Sequence, residues 1–141
     1  MIILDTNVLS ALMDPRADAH VVAWLDAQPW DSVWTTAVTV FEVRFGLEIL
    51  PAGARRRRLA ADFDRLLAQD LEQRVLDFDA AAAAESASLA AQRSARGRPV
   101  DFRDTQIAGI VRARRATLAT RNVKHFEDAG IVIVDPWRKN S

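Results

Sequence analysis

The chain lacks cysteine altogether and contains only two histidines, His20 and His125, among its 141 residues. The absence of cysteine excludes a disulfide framework, a thiolate zinc site, an iron–sulfur cluster and a cysteine nucleophile. No apolar run approaches the roughly 18 residues that a membrane helix needs. The first residues, MIILDTN, show neither the basic nor the long apolar region of a signal peptide. We therefore expect a soluble, cytoplasmic protein that does not enter a membrane.

What the sequence does contain is typical of a globular domain, with 50% hydrophobic and 27% charged residues. Its length and the lack of a linker predict a single domain over residues 1–141. The formal net charge is zero, but the charges are clustered. Residues 1–54 and 59–92 are each acidic, whereas residues 55–58 are four consecutive arginines and residues 93–125 carry nine basic residues against two acids. Such asymmetry indicates an anionic partner.

Short apolar runs without polar alternation predict buried parallel strands. We place them at residues 2–4, 33–36, 75–78, 118–120 and 131–134. Apolar positions at helical spacing predict the helices between them. We place these at about 6–13, 18–29, 38–50, 54–71, 80–97 and 102–115, with Asp14-Pro15 ending the first. The alternation of strands and helices predicts an α/β domain with a parallel sheet of four to five strands, covered by helices on both faces.

Four polar residues fall where ligands bind in such a sheet, outside the carboxyl ends of the strands. Asp5 ends the first strand, Asn122 follows the fourth, and Glu42 and Asp104 lie early in two helices. Structural alternatives remain open for each. Thr39–Glu42 matches a capping box, the acids near residue 104 can cap a helix start, Asp5 can cap the helix after it, and Asn122 can hold a turn.

Buried carboxylates are rare unless they are paired or bind a cation. Two of them about 4 Å apart repel by roughly 4 kcal/mol at an effective dielectric near 20. No lysine lies near Asp5, Glu42 or Asp104 in the sequence. An ion with oxygen ligands resolves this repulsion, and such ligands favour Mg²⁺ or Mn²⁺. The leading chemistry is therefore metal-dependent phosphodiester hydrolysis, in which the ion activates a water.

At these residues the chain resembles a known family. The segments concerned are Ile3–Leu9, Thr39–Gly46, Asp104–Ala108 and Ala119–Asn122, together with the closing Asp135–Trp137. They are similar to PIN-domain ribonucleases, and in particular to the VapC toxins of bacterial toxin–antitoxin pairs in their FitB-like branch. The resemblance covers nearly the whole chain, and four motifs in the right order at matching separations are specific.

The resemblance implies a three-layer α/β/α fold and Mg²⁺- or Mn²⁺-dependent cleavage of RNA. Asp5, Glu42 and Asp104 match the family's metal-binding carboxylates, and Thr6 matches a hydroxyl position near the metal. Asn122 stands where many members have a fourth acid, so it is a candidate ligand without charge. The resemblance also implies a homodimer and a cognate small DNA-binding antitoxin.

We further predict RNA contacts from the basic 93–125 segment. The candidates are Arg98, Arg112, Arg114, Arg115, Arg121 and Lys124. The helices around 38–50 and 80–95 are the predicted dimer interface, and His125 is interpreted as a surface residue near the site. Two alternatives stay open, a noncatalytic RNA-binding or interaction protein on the same scaffold and an acid-site phosphohydrolase on a similar sheet.

Overall fold

The computed structural model describes residues 1–14 and 16–138. Its centre is a five-stranded sheet in the order β3-β2-β1-β4-β5, in which every neighbouring pair is parallel. The strands are β1 (Ile2–Leu4), β2 (Val33–Thr36), β3 (Val75–Leu76), β4 (Thr117–Ala119) and β5 (Val132–Val134). The predicted α/β fold with a parallel sheet is therefore confirmed, and β1 lies in the middle of it.

Within the described residues, six α-helices connect the strands. They are α1 (Thr6–Met13), α2 (Ala19–Asp26), α3 (Ala37–Glu48), α4 (Ala54–Arg65), α5 (Ala80–Ala95) and α6 (Phe102–Arg114). The predicted helix over 54–71 begins as α4 and continues as one π-helical turn, Leu66–Asp70. The end predicted at Asp14-Pro15 agrees with Asp14 as the C-terminal cap of α1, whereas Pro15 lies outside the described residues.

The third strand is shorter than the prediction of 75–78. β3 pairs only with Thr35 and Thr36 of β2. Because Thr36 is also the N-terminal cap of α3, β2 ends there and residues beyond Leu76 have no strand to pair with. Asp79 then caps α5 through a bond from the Ala82 N–H. The neighbouring β2–α3 junction therefore sets the length of β3.

Two apolar cores lie on opposite faces of the sheet, as the three-layer prediction requires. On one face α5 and α6 pack closely, because Gly109 has no side chain. A Cβ at that position would stand 2.7 Å from the Ala82 carbonyl oxygen and 2.9 Å from Ser86 Cβ. On the other face α1, α3 and α4 cover the sheet around the fully buried Phe63. No helix in the described part of the chain has both the length and the hydropathy needed to cross a membrane.

A buried ion pair fastens α5 and α6 to the loop after β4. The Arg93 guanidinium donates to both carboxylate oxygens of Asp128, at 2.9 and 2.8 Å. It also donates to Thr105 Oγ1 at 2.9 Å and to the His125 carbonyl at 2.8 Å. The two side chains are only 6% and 7% exposed. Hydrogen bonds from Arg93 hold the pKa of the Asp128 carboxyl below its ordinary value. We call this group the Arg93–Asp128 pair.

Candidate active site

Asp5 lies at the carboxyl end of the central strand β1 and is 4% exposed. Its Oδ1 accepts from the Thr6 N–H at 2.8 Å, so Asp5 does cap α1, as the structural alternative proposed. Its Oδ2 accepts from Thr120 Oγ1 at 2.8 Å and from Asn7 Nδ2 at 3.2 Å. The cap and the hydroxyl of Thr120, beside β4, together fix the carboxylate at the sheet edge.

Glu42 lies in the second turn of α3, and it does not close a capping box. The N-terminal cap is Thr36, whose hydroxyl accepts from the Thr39 N–H at 3.0 Å. Because the N-terminal cap lies three residues before Thr39, Glu42 has no helix-start group to cap. Its Oε1 instead accepts from Thr6 Oγ1 at 3.2 Å, and its Oε2 lies 3.9 Å from an Arg103 guanidinium nitrogen. Glu42 therefore faces the same edge as Asp5.

Asp104 lies in the first turn of α6, after the cap Asp101. Asp101 accepts from the Asp104 N–H at 3.0 Å, so the capping alternative is correct for Asp101. The Asp104 side chain points elsewhere, with its Oδ2 3.0 Å from His125 Nδ1. Its carboxylate is 21% exposed. Asp104 is thus free of the helix cap and is held by a residue of the loop after β4.

The three carboxyls have raised pKa values. Burial is the main cause for each of Asp5, Glu42 and Asp104. Repulsion adds to it, since the charge of Asp104 raises the pKa of Asp5, and the charges of both raise the pKa of Glu42. Hydrogen bonds to each carboxylate oppose the rise without cancelling it. The three acids therefore share one electrostatic environment that contains too little positive charge. We call them the acidic cluster.

The chemistry of the acidic cluster fits a hard divalent cation, because carboxylate and hydroxyl oxygens are the ligands such ions prefer. The side chains are not, however, arranged as a complete metal site. Among the described residues, no three or more acidic or histidine side chains already stand in positions that would hold one ion. Each acid is instead engaged by a donor of this chain, such as Thr120 at Asp5, Thr6 at Glu42 and His125 at Asp104.

Asn122 reaches the acidic cluster through its backbone. Its N–H donates at 3.0 Å to Thr120 Oγ1, the hydroxyl that in turn donates to Asp5. The Asn122 residue is exposed and precedes a short 3₁₀ turn, Val123–His125. Direct ligation of a metal by its side chain stays a prediction. Thr6 lies between two acids, with its N–H on Asp5 and its hydroxyl on Glu42.

Four residues contact the acids that the sequence analysis did not assign to the site: Asn7, Arg103, Thr120 and His125. Thr120 follows β4 directly, and Asn7 lies in the first turn of α1, shortly after β1. Both are polar residues close to the carboxyl end of a strand, so their positions in the sequence could have indicated the site. Arg103 belongs to the basic 93–125 segment but was not singled out. The position of His125 near the site was expected, and its side chain is 59% exposed. Its contact with Asp104 depends on loop geometry that residue spacing does not show.

The six predicted RNA-binding residues divide into two groups. Arg121 and Lys124 follow the carboxyl end of β4, on the side of the acidic cluster. Arg98 contacts Asp128 at 3.5 Å, in the same region. The others, Arg112, Arg114 and Arg115, end α6 just before β4 begins. Because a helix rises 1.5 Å per residue, about 15 Å of α6 separates Asp104 from Arg114. The structure does not bring this second group to the acids, and RNA contact by it stays a prediction.

Comparison with known proteins agrees with this geometry. The family model for the PIN domain matches residues 2–131. The VapC ribonuclease Y4jK of Sinorhizobium fredii is 40% identical over 137 residues, which cover 97% of this chain and 98% of that protein. Toxin FitB of Neisseria gonorrhoeae is 32% identical over 137 residues, or 97% of this chain and 99% of the toxin. A solved structure of FitAB bound to an IR36 DNA fragment superposes with a TM-score of 0.89 at 31% identity, covering 100% of this chain and 99% of the other. The family resemblance seen in four short motifs is confirmed, and the chain belongs to the PIN-domain family.

Proposed function

We propose that the chain is a metal-dependent endoribonuclease that acts as the toxin of a toxin–antitoxin pair. The observation that carries this proposal is the acidic cluster, in which Asp5 and Glu42 both bond to Thr6. Asp104 lies close enough for its charge to raise the pKa of both carboxyls. The relatives named VapC ribonuclease and Toxin FitB support it. The whole of residues 1–141 forms the single catalytic domain.

Asp5, Glu42 and Asp104 would hold Mg²⁺ or Mn²⁺, with Asn122 as a candidate fourth ligand. Such an ion would supply a Lewis acid for a phosphoryl oxygen and would lower the pKa of a water for hydrolysis of the RNA phosphodiester. Thr120 and Asn7 orient the carboxylate of Asp5 by donating to its Oδ2. Thr6 places Glu42 relative to Asp5, because it donates to both.

Arg103 and a hydrogen bond from His125 partly offset the charge of the acids before any ion is present. Arg103 lies 3.9 Å from Glu42, and its charge lowers the pKa of that carboxyl against the larger effect of burial. His125 does the same for Asp104 through a hydrogen bond. The Arg103 side chain is 50% exposed and the His125 side chain is 59% exposed. They are therefore able to turn from the acids toward an incoming phosphate.

The test is cleavage of RNA by the purified chain in Mg²⁺ or Mn²⁺, against a control with EDTA. We expect metal-dependent internal cleavage that is lost in Asp104→Asn. A folded wild-type protein that binds RNA in Mg²⁺ and Mn²⁺ but leaves it intact would instead establish the noncatalytic alternative. Hydrolysis of small phosphate esters with RNA left intact would establish the phosphohydrolase alternative.

The proposal includes a homodimer, and a row of exposed apolar side chains on α3 supports an interface there. Phe41, Phe45 and Ile49 follow one another at four-residue steps along and just beyond α3, and they are 59%, 51% and 67% exposed. Phe41 and Phe45 stack with ring centroids 6.2 Å apart. Leu47, by contrast, is buried in the core. Analytical ultracentrifugation of Phe41→Ser/Phe45→Ser should show monomers where the wild type sediments as a dimer.

The proposal also includes a cognate small DNA-binding antitoxin. The support is the FitAB–DNA structure, in which a chain similar to this one over its whole length belongs to a DNA-bound assembly. Co-expression with the product of the adjacent reading frame, followed by affinity purification through a tag on that product, tests it. Recovery of the tagged product alone, without this chain, would contradict the proposal.

A further inference from the structure

A cavity of about 500 Å³ opens beside Glu42, and side chains of α1, α3 and α4 line it. Its charged lining residues are the acids Glu42 and Asp14 and three arginines, Arg16, Arg55 and Arg58. Three guanidinium groups thus line the same cavity as an acid of the cluster. The RNA-contact prediction from the sequence, which lay wholly within residues 93–125, did not include any of them.

The four arginines 55–58 do not share one environment. Arg55 and Arg58 are three residues apart, so they lie on the same face of α4, and both line the cavity. Arg56 is paired with Glu48 at 2.7 Å. In residues 1–14 and 16–138, neither Arg55 nor Arg58 has an acidic side chain within 4.0 Å. Arg55 and Arg58 are therefore exposed cations on the cavity, and the two acids that also line it, Glu42 and Asp14, form no ion pair with either of them.

The position of these cations is unfavourable for the helix that carries them. The N-terminus of a helix has a partial positive charge, which favours acids and disfavours Lys and Arg in the first turn. α4 has no acid there, and Gly53 at its N-terminal cap supplies no side-chain hydrogen bond. The first turns of α4 thus place cations next to free N–H groups. Helix stability does not account for this arrangement, whereas an external anion does.

We propose that Arg55 and Arg58 bind backbone phosphates of the RNA strand on the Glu42 side of the cleavage site. This inference rests on the proposed function, because it takes RNA as the substrate. A strand that reaches the acidic cluster must bring its phosphates close to three carboxylates. Cations on the same cavity offset that repulsion and hold the strand by charge-assisted contacts, for which guanidinium groups are well suited.

The inference is tested with a single-stranded RNA oligonucleotide and the cleavage-deficient Asp104→Asn protein, so that the RNA stays intact. Binding is measured by fluorescence anisotropy over a range of salt concentrations. Loss of two phosphate contacts should lower the salt slope by about 1.4, which weakens binding roughly tenfold at 0.15 M salt. We expect this for Arg55→Gln/Arg58→Gln, and about half the change in slope for Arg58→Gln alone. Glutamine keeps the helix propensity close to that of arginine.

The matched control is Arg57→Gln, which removes the same charge from the same helical turn. Arg57 is exposed and does not line the cavity. Its loss should leave the salt slope within about 0.2 of the parent protein. In the catalytically intact protein, the double variant should raise KM for RNA while kcat stays close to the wild-type value. A purely structural role for the two arginines would not separate KM from kcat in this way.

The outcomes distinguish the inference from the proposed function. If the double variant binds RNA like Arg57→Gln, the inference is wrong, even where the wild type cleaves RNA. If the wild type does not cleave but its RNA binding depends on Arg55 and Arg58, the inference holds and the proposed function fails. Normal RNA binding with weakened binding of the adjacent gene product would make the cavity a protein-binding groove and overturn the inference.

Discussion

Two groups of buried charge, both next to α6, are built in opposite ways. In the Arg93–Asp128 pair, one guanidinium meets both oxygens of one carboxylate and its remaining N–H groups reach Thr105 and the His125 carbonyl. The pKa of Asp128 is lowered. In the acidic cluster, three carboxylates share a few hydrogen-bond donors and the half-exposed Arg103, and all three pKa values are raised. The first group is balanced without any ligand, and the second is not.

The difference separates a structural charge from a candidate functional one. Buried charge is stable when it is paired and fully hydrogen-bonded, and the Arg93–Asp128 pair meets that condition. The acidic cluster does not, so the fold keeps it at a cost in free energy. Groups with perturbed pKa values in a cleft are candidates for function for this reason. The pair also holds the loop that carries His125, so the balanced group positions a neighbour of the unbalanced one.

The largest expected effect comes from breaking the balanced group. Asp128→Asn leaves the buried Arg93 charge without its anion, and removal of one partner of a buried pair costs about 3 kcal/mol of unfolding free energy. Urea unfolding measures the loss. Arg98→Gln is the control, because Arg98 touches the same carboxylate from a half-exposed position at 3.5 Å. It should cost less than about 1 kcal/mol. Equal effects of the two variants would contradict the contrast between the groups.

Neutralising one acid should act in the opposite direction on stability. Asp104→Asn removes a charge that repels its neighbours, so unfolding free energy without metal should rise by about 0.5–1 kcal/mol. RNA cleavage should fall by on the order of 10²-fold or more, since even indirect metal partners are worth 10–100-fold. Glu42→Gln should behave alike. Urea unfolding in EDTA and initial cleavage rates measure both. If either variant cleaves RNA at the wild-type rate, the substituted residue is not a metal ligand.

The two groups should also respond to pH with opposite signs. A carboxyl with a raised pKa destabilises the folded state while it is ionised, so the penalty of the acidic cluster is relieved as pH falls from neutrality through those raised values. A carboxyl with a lowered pKa stabilises the fold above the ordinary carboxyl range and loses that contribution below it. The advantage of Asp104→Asn over the wild type in EDTA should therefore shrink on mild acidification. The loss caused by Asp128→Asn should stay constant until the pH falls below the ordinary carboxyl range.

The smallest effect is expected at Asn122. Asn122→Asp adds a fourth carboxylate, which should tighten Mg²⁺ or Mn²⁺ binding and destabilise the metal-free protein. Because Asn122 is exposed and its known link to Asp5 runs through its backbone, the destabilisation should stay below about 0.5 kcal/mol. Calorimetric titration with metal and melting in EDTA measure the two changes. Unchanged metal affinity and unchanged melting would place the side chain outside the site.

The strands and the acids were predictable from the sequence because they depend on local patterns. Apolar runs without alternation identify buried parallel strands, and Asp5 directly after one of them is read from the sequence alone. Glu42 was open to a second interpretation, because Thr39 and Glu42 have the spacing of a capping box. The structure decides it through Thr36, since a helix start is fixed by which hydroxyl reaches an unpaired N–H.

The remaining site residues depend on contacts between distant segments. Thr120 meets Asp5 across 115 positions and His125 meets Asp104 across 21. No periodicity shows such contacts. The basic residues illustrate the same limit, because the 93–125 segment is continuous in sequence whereas α6 carries Arg114 and Arg115 away from the acids. Arg55 and Arg58 come to the cavity beside Glu42 only through the packing of α4 on α1 and α3.

The central position of β1 also determines when a newly made chain acquires its chemistry. β1 is made long before β4, yet Ile2 pairs with Thr117, and the Asp5 N–H bonds to the Ala119 carbonyl. The hydroxyl that holds the Asp5 carboxylate belongs to Thr120. A nascent or truncated chain that ends before α6 therefore lacks both Asp104 and the strand that fixes Asp5. Because contacts of such long sequence separation form late, we expect the acidic cluster to be assembled only after β4 has been made.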